Sequence, residues 1–133
     1  MLKRDHNILK SNSFFLFGPR GSGKSTLISD LFKDEQILLF NLLDPELEDK
    51  FTLSPDLFRN EILAKDGSFN FIVVDEIQKC PKLLNSVHKL IVEKNYKFAL
   101  TGSSARFLKK KKEQICQQEE PFQIFSFPLV YMN

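Results

Sequence analysis

The sequence has few of the features that mark a disulfide-bonded, metal-binding or membrane-spanning protein. Its 133 residues include two cysteines, Cys80 and Cys116, which supply neither a disulfide framework nor the spacing of a metal site. No apolar run approaches the roughly 20 residues that a transmembrane helix needs. The start of the chain, Met1 to His6, lacks the apolar core of a secretory signal. We therefore expect reduced thiols, no membrane contact and a cytoplasmic protein.

An excess of charge of one sign is also missing. The 19 Lys and Arg residues nearly balance the 17 Asp and Glu residues, which leaves a net charge of +2. So small an excess gives no clear signal for nucleic acid or for an anionic membrane. The 14 phenylalanines are not interleaved with basic residues, so they fit core packing better than base stacking. What remains is the composition of one globular domain.

Short apolar runs alternate with helical patterns along most of the chain. Strands are predicted at 13–17, 37–43, 69–74 and 97–100, and helices at 25–32, 57–64 and 81–93. Ser54 followed by Pro55 is typical of an N-cap and a first helical residue. Residues 122–130 become apolar again and are predicted to add a fifth strand. Strands separated by helices need crossover connections, which predicts an α/β fold with three layers and a mostly parallel sheet.

The strongest functional signal directly follows the first predicted strand. Gly18 to Ser25 reads Gly-Pro-Arg-Gly-Ser-Gly-Lys-Ser and matches the phosphate-loop pattern G-x-x-x-x-G-K-[ST] at every required position. Its backbone N–H groups and the following helix N-terminus suit phosphate oxygens. Lys24 is expected to reach the β- and γ-phosphates, and the Ser25 hydroxyl to coordinate Mg²⁺. The predicted nucleotide-binding residues are Gly18, Pro19, Arg20, Gly21, Ser22, Gly23, Lys24, Ser25 and Thr26.

An acidic pair, Asp75 and Glu76, ends the third predicted strand. In enzymes with a phosphate loop such a strand lies beside the loop, so Asp75 is predicted to hold Mg²⁺ and Glu76 to accept a proton from the attacking water. The plainer interpretation is two solvated acids at a strand end, and the phosphate loop upstream disfavours it. The sequence therefore predicts ATP and Mg²⁺ as cofactors, with Lys24 and Glu76 as catalytic residues and Ser25 and Asp75 as metal ligands.

Four linked motifs resemble a known family. In chain order they are Gly18-Pro19-Arg20, Asn41-Leu42-Leu43-Asp44-Pro45-Glu46, Val74-Asp75-Glu76-Ile77-Gln78-Lys79-Cys80-Pro81 and Leu100-Thr101-Gly102-Ser103-Ser104-Ala105-Arg106. Together they are similar to the prokaryotic AAA-type ATPases in which this domain precedes a C-terminal domain of unknown function. The resemblance implies a sheet in the order 5-1-4-3-2, with the nucleotide at the carboxyl ends of the strands.

The resemblance also implies a polar sensor at the tip of strand four. Thr101 and Ser103 are the candidates and count among the predicted catalytic residues, although an ordinary strand-end turn stays open there. Arg106 could act as an arginine finger toward a neighbouring subunit, which leaves a homo-oligomer open.

Residues 1–108 are predicted to be the nucleotide-binding core, 109–121 an irregular segment and 122–133 the remnant of the fifth strand. Family members run beyond this length, so the chain resembles a truncated member. Residues 109–120 replace a family segment that ends in Ala-Gly-Arg. One base lost in the lysine run and one gained before Phe127 would account for this difference, and the nucleotide sequence of the gene would test it.

Three functions stay open at this point. The first is an ATPase that drives a conformational change, and the second is a nucleotide-binding module with little or no turnover. The third is a small-molecule kinase, which Glu76 beside Asp75 and the lack of a recognisable lid disfavour. The sequence does not indicate a macromolecular partner.

Overall fold

The computed structural model describes residues 12–18, 24–103, 122–126 and 130–132. The strands in these ranges are β1 (Ser13–Phe17), β2 (Ile37–Asn41), β3 (Phe71–Asp75), β4 (Phe98–Gly102), β5 (Phe122–Ser126) and β6 (Val130–Met132). The helices are α1 (Lys24–Leu31), α2 (Pro45–Leu53), α3 (Asp56–Ala64) and α4 (Leu83–Lys94), with a 3-10 turn at Ile77–Lys79. Among the described residues, no helix combines the length and the apolar composition that a membrane span needs.

The described strands form one sheet in the order β2-β3-β4-β1-β5-β6. Strands β1 to β5 pair in parallel, which confirms the predicted order 5-1-4-3-2 and the mostly parallel sheet. Strand β6 runs antiparallel to β5, and the single apolar stretch in the sequence did not reveal this extra strand. The register pairs Phe17 with Gly102 and Asn41 with Asp75, so the carboxyl ends of these strands align along one edge of the sheet.

The sheet separates two apolar layers, because successive residues of a strand face opposite sides. On one side Phe14 and Leu16 pack with α1 in a cluster that also contains Val73. On the other side Phe15 and Phe17 belong to the larger cluster formed with α2, α3 and α4. Helices therefore cover both faces, which confirms the predicted three layers.

Three phenylalanine rings fasten α2 and α3 to the edge strand β2. The rings of Phe40, Phe51 and Phe58 meet pairwise with centroids 5.0 to 5.6 Å apart. Phe51 and Phe58 are fully buried. Edge-to-face and tilted contacts of this kind add to the free energy gained from burying the rings, so this cluster positions the helices that follow β2.

Helix α2 was not predicted, although its start signals are present in the sequence. The Asp44 side chain accepts a hydrogen bond from the Glu46 N–H, and Pro45 occupies the first helical position. Ser54 was predicted to be the N-cap of the next helix, but it closes α2, with its backbone N–H donating to the carbonyl of Lys50. The prediction failed there because a serine before a proline fits either end of a helix.

Candidate functional site

Three parallel strands deliver the candidate residues to one edge of the sheet. Gly18 directly follows β1, Asp75 ends β3, and Thr101 lies near the end of β4. The N–H of Gly18 donates to the carbonyl of Gly102 at 3.1 Å, which fixes the start of the glycine-rich segment against the tip of β4. In open α/β sheets this carboxyl edge is where ligands bind.

Lys24 is the first residue of α1 and lies almost fully buried, with 7% of its surface exposed. Its ammonium group donates to the carbonyl oxygen of Gly18 at 3.1 Å. A buried ammonium is costly without compensation. The bond to Gly18 occupies one of its three N–H donors and leaves donors for a further acceptor.

A pocket of about 120 Å³ opens beside Lys24, on the face of the sheet that α1 covers. Its lining residues are Lys24, Ile28, Ser29, Leu39, Val73, Asp75 and Thr101. The predicted phosphate-binding lysine and the predicted metal-binding carboxylate therefore face the same space. Residues from α1, β2, β3 and β4 all contribute, so the pocket exists only in the folded sheet.

The hydroxyl of Thr101 joins the two acidic residues. It donates to Oδ1 of Asp75 and accepts the backbone N–H of Glu76 at 3.1 Å. Thr101 itself is buried. One hydroxyl thus fixes the orientation of the Asp75 carboxylate and the start of the turn that leaves β3.

Glu76 lies past the end of β3 in a left-handed backbone conformation, with φ 60° and ψ 56°. This conformation is uncommon for a residue with a side chain. The side chain is buried, and its carboxylate accepts a hydrogen bond from Nε2 of Gln78 at 3.1 Å. The same Nε2 donates to the hydroxyl of Ser103 at 3.0 Å. Glu76 lies beside the pocket of Lys24 and Asp75 and does not line it.

The Asp75 carboxylate suits a hard divalent cation that takes most of its remaining ligands from phosphate oxygens and water. In the described part of the chain no group of three or more His, Cys, Asp or Glu side chains is placed to hold a metal. Mg²⁺ is usually held by one or two carboxylates together with phosphate oxygens and waters. The Asp75 carboxylate, facing the same pocket as Lys24, fits that mode of binding.

Several predicted residues fall outside this description. Pro19, Arg20, Gly21, Ser22 and Gly23 lie outside the described residues, as do Arg106 and the segment 109–121, and the side chain of Ser25 is not described. Thr26 lies on α1 and is exposed. The structure brings together Gly18, Lys24, Asp75, Glu76, Thr101 and Ser103.

Gln78 is the polar residue of this site that the sequence reasoning missed. Nothing in a single sequence distinguishes this glutamine from a solvated one, because its partner Ser103 is 25 residues away in the chain. Asn41 and Asp44 also gain a structural explanation. The Asn41 side chain accepts the N–H of Leu43 at 3.1 Å, while Asp44 caps α2.

Comparison with known proteins identifies a family for this chain. The model of the AAA domain family matches residues 10–130 of the chain. No curated protein matches the sequence.

Two solved structures with similar folds are Pif1 helicases. One is described as showing DNA unwinding at forked double-stranded DNA by two coordinating Pif1 helicases, with 13% identity and a TM-score of 0.56. The other is Bacteroides Pif1 bound to single-stranded DNA, with 14% identity and a TM-score of 0.57. Each alignment covers 94% of this chain, which spans 42% and 40% of those proteins. At such low identity the likeness concerns the fold alone.

Proposed function

Because the chain belongs to the AAA domain family of P-loop ATPases, we propose that it binds ATP with Mg²⁺ and hydrolyses the nucleotide at the pocket beside Lys24. The observation that supports this most is the lining of that pocket, to which Lys24, Asp75 and Thr101 all contribute. A phosphate-loop lysine and a carboxylate at the end of a neighbouring parallel strand are two of the parts that P-loop enzymes use for phosphoryl transfer.

Residues 18–26 bind the polyphosphate in this proposal. The first of them, Gly18, is fixed by the hydrogen bond from its N–H to the carbonyl of Gly102. The Lys24 ammonium reaches the β- and γ-phosphates with the donors that its bond to Gly18 leaves over. Phosphate charge offsets the burial of this cation. Lys24 therefore contributes chiefly to affinity for the nucleotide.

The metal site in this proposal uses Asp75 and the hydroxyl of Ser25. Bound Mg²⁺ supplies charge neutralisation on the phosphate oxygens. Asp75 fits this part because its carboxylate faces the pocket and is held in place by the Thr101 hydroxyl.

Hydrolysis needs a base for the attacking water, and Glu76 is the proposed base. Its position one residue after Asp75 puts it beside the metal-binding carboxylate but outside the lining of the same pocket. Thr101 and Ser103, at the tip of β4, lie within hydrogen-bonding reach of this part of the chain and act as the polar sensor residues.

The test compares phosphate release and ATP binding in Mg²⁺ buffer for the wild type, Lys24→Ala and Glu76→Gln. We expect Lys24→Ala to lose ATP binding, and Glu76→Gln to bind ATP while releasing phosphate at least about a hundredfold more slowly. Lys33→Ala is a matched control, because Lys33 is exposed and pairs only loosely with Asp30 at 3.9 Å. Removal of Mg²⁺ with a chelator is expected to abolish turnover.

Two results would contradict parts of this proposal. Equal ATP affinity in the wild type and Lys24→Ala would exclude the pocket as the nucleotide site. Tight ATP binding by a wild type that releases no phosphate would favour the alternative of a binding module without turnover.

The likeness in fold to the two helicase structures motivates one addition to the assay. The chain spans less than half of those proteins, so DNA unwinding is not proposed for it. The sequence gives no clear signal for nucleic acid, and these comparisons do not support excluding a nucleic-acid partner. Adding single-stranded DNA to the phosphate-release assay tests the point, and stimulation of turnover would identify a nucleic-acid partner.

A further inference from the structure

We propose that Gln78 is a positioning residue for hydrolysis. Its side-chain amide binds both the Glu76 carboxylate and the Ser103 hydroxyl at the tip of β4, and so fixes the position of the carboxylate. The inference rests on the proposed function of the site, and it adds a residue that orients the carboxylate of the proposed base, Glu76. Gln78 follows Glu76 by two residues, in the 3-10 turn that leaves β3.

The amide nitrogen of Gln78 has two hydrogens, and the structure provides an acceptor for each. Nε2 lies 3.1 and 3.4 Å from the two carboxylate oxygens of Glu76, and one N–H serves both. Nε2 also lies 3.0 Å from the hydroxyl oxygen of Ser103, which accepts the other N–H. The ends of β3 and β4 are thereby joined through a single side-chain amide.

The other end of the amide packs against Gly102. Oε1 of Gln78 is buried and has no hydrogen-bond partner in the described part of the chain. An ideal Cβ on Gly102 would lie 2.9 Å from this oxygen. Turning the amide over would place its oxygen against the Glu76 carboxylate, where two acceptors would repel each other. The missing side chain at position 102 therefore makes room for the amide in the one orientation that can donate to both acceptors.

Gly102 connects this link to the start of the phosphate loop. Its carbonyl accepts the N–H of Gly18 at 3.1 Å. The amide of Gln78 thus packs against Gly102, which anchors the loop. Because Gln78 also binds the Glu76 carboxylate, the proposed base has a defined position relative to the loop.

Glu76 needs such a partner because its backbone does not continue the strand. The left-handed conformation, with φ 60°, turns the chain out of β3, so the pleat of the sheet no longer sets the direction of the side chain. In the described part of the chain the Gln78 amide is the side-chain donor to this buried carboxylate. Removing the donor would leave the carboxylate without that restraint.

The experiment measures kcat, KM and ATP affinity in the full chain carrying Gln78→Met. Methionine keeps the length of the side chain and removes both donors. We expect kcat to fall by about tenfold to a hundredfold, the range expected for losing a hydrogen bond to a charged group. ATP affinity is expected to stay unchanged, because Lys24 and the loop are untouched. Gln36→Met is the matched control, since Gln36 is exposed and precedes β2 at the opposite edge of the sheet.

Gly102→Ala provides a second variant that removes no polar group. Its Cβ would displace the Gln78 amide from the place it now occupies. We expect a reduced kcat, as for Gln78→Met; ATP affinity is compared in Gln78→Met alone, because Gly102 also accepts the Gly18 N–H at the start of the loop. A thermal unfolding scan of each variant shows whether it is folded under the conditions of the assay.

The outcomes separate this inference from the proposed function. An active wild type with an unchanged kcat in Gln78→Met would overturn the role of Gln78 and leave the proposed function intact. A fall in kcat matched by a fall in ATP affinity would also overturn it, because Gln78 would then support the fold of the whole site. A wild type that releases no phosphate would overturn the proposed hydrolysis and this role together.

Discussion

Thr101 and Asp75 lie on neighbouring strands and are joined by a hydrogen bond from the threonine hydroxyl to the Oδ1 atom of the carboxylate. The same hydroxyl oxygen accepts the backbone N–H of Glu76. Both the donor hydrogen and the acceptor oxygen of a buried side chain are therefore used. Thr101 therefore holds the proposed metal ligand, Asp75, by its side chain and the proposed base, Glu76, by its backbone N–H.

Replacing Thr101 with valine is predicted to weaken Mg²⁺-dependent ATP binding about tenfold and to lower stability by about 1–3 kcal/mol. The shape of the side chain is kept, but the Asp75 carboxylate loses its orienting donor and the Glu76 N–H loses its acceptor. Calorimetric titration with ATP, with and without Mg²⁺, measures the first effect, and urea unfolding the second. Thr101→Ser keeps the hydroxyl and should retain most of both. Equal Mg²⁺ dependence in the valine and serine variants would contradict the prediction.

Replacing Asp44 with alanine is predicted to cost about 1 kcal/mol, the usual value for losing an N-cap. The carboxylate of Asp44 accepts the N–H of Glu46 at 3.1 Å at the start of α2. ATP affinity should not change, because the side chain serves the helix rather than the pocket. Asp49→Ala, an exposed change within α2, is the control for stability. Weaker ATP binding in the Asp44 variant alone would show that this loop contributes to the nucleotide site.

Replacing Phe58 with alanine is predicted to lower the free energy of unfolding by about 3–5 kcal/mol, because the ring is fully buried between Phe40 and Phe51. The total for a domain is about 5–15 kcal/mol, so much of the stability would be lost. Urea denaturation measures the change. Leu53→Ala is the control, since this leucine is 84% exposed; its effect should stay within about 0.5 kcal/mol. Similar losses in the two variants would contradict the packing described for β2.

The phenol of Tyr96 is predicted to lose its proton at a higher pH than an ordinary tyrosine. Burial, and then the hydrogen bond from its phenol to Asp66 at 2.6 Å, raise the pKa of Tyr96 from 10.0 to about 12. Since the pKa is higher in the folded chain, the stability from this pair is present below pH 10 and is lost as the pH rises toward 12. Ultraviolet titration of tyrosinate, with Tyr131→Phe as background, measures the pKa. Asp66→Asn should lower it, and an unchanged value would contradict the assignment.

The sheet could be predicted from the sequence because its strands are short apolar runs with clear ends. Phe14 to Phe17 stop at Gly18, and the run that begins at Phe71 stops at Asp75. Such runs indicate strands buried on both faces, and the helices between them require parallel pairing. Helix α2 was not predicted, because Leu47 and Phe51 alone form a weak apolar stripe. Its N-terminal signals lie in the loop after β2.

The chemistry of the site could be predicted only where a motif names the residue. Lys24 and Asp75 belong to such motifs, and the structure places both on one pocket. The bonds of Gln78 depend on the register of β3 and β4 and on the left-handed turn at Glu76. No local pattern encodes a contact between residues 25 positions apart in the chain.

The alternation of side chains along β3 has a consequence for insertions and deletions. Val73 and Asp75 share the face that the pocket opens on, while Ile72 and Val74 pack on the other side. Gaining one residue inside β3 would rotate every later side chain to the opposite face. A valine would then stand where the carboxylate belongs, without any change to the acidic residues themselves. The proposed site therefore depends on the length of this strand as well as on the identity of Asp75.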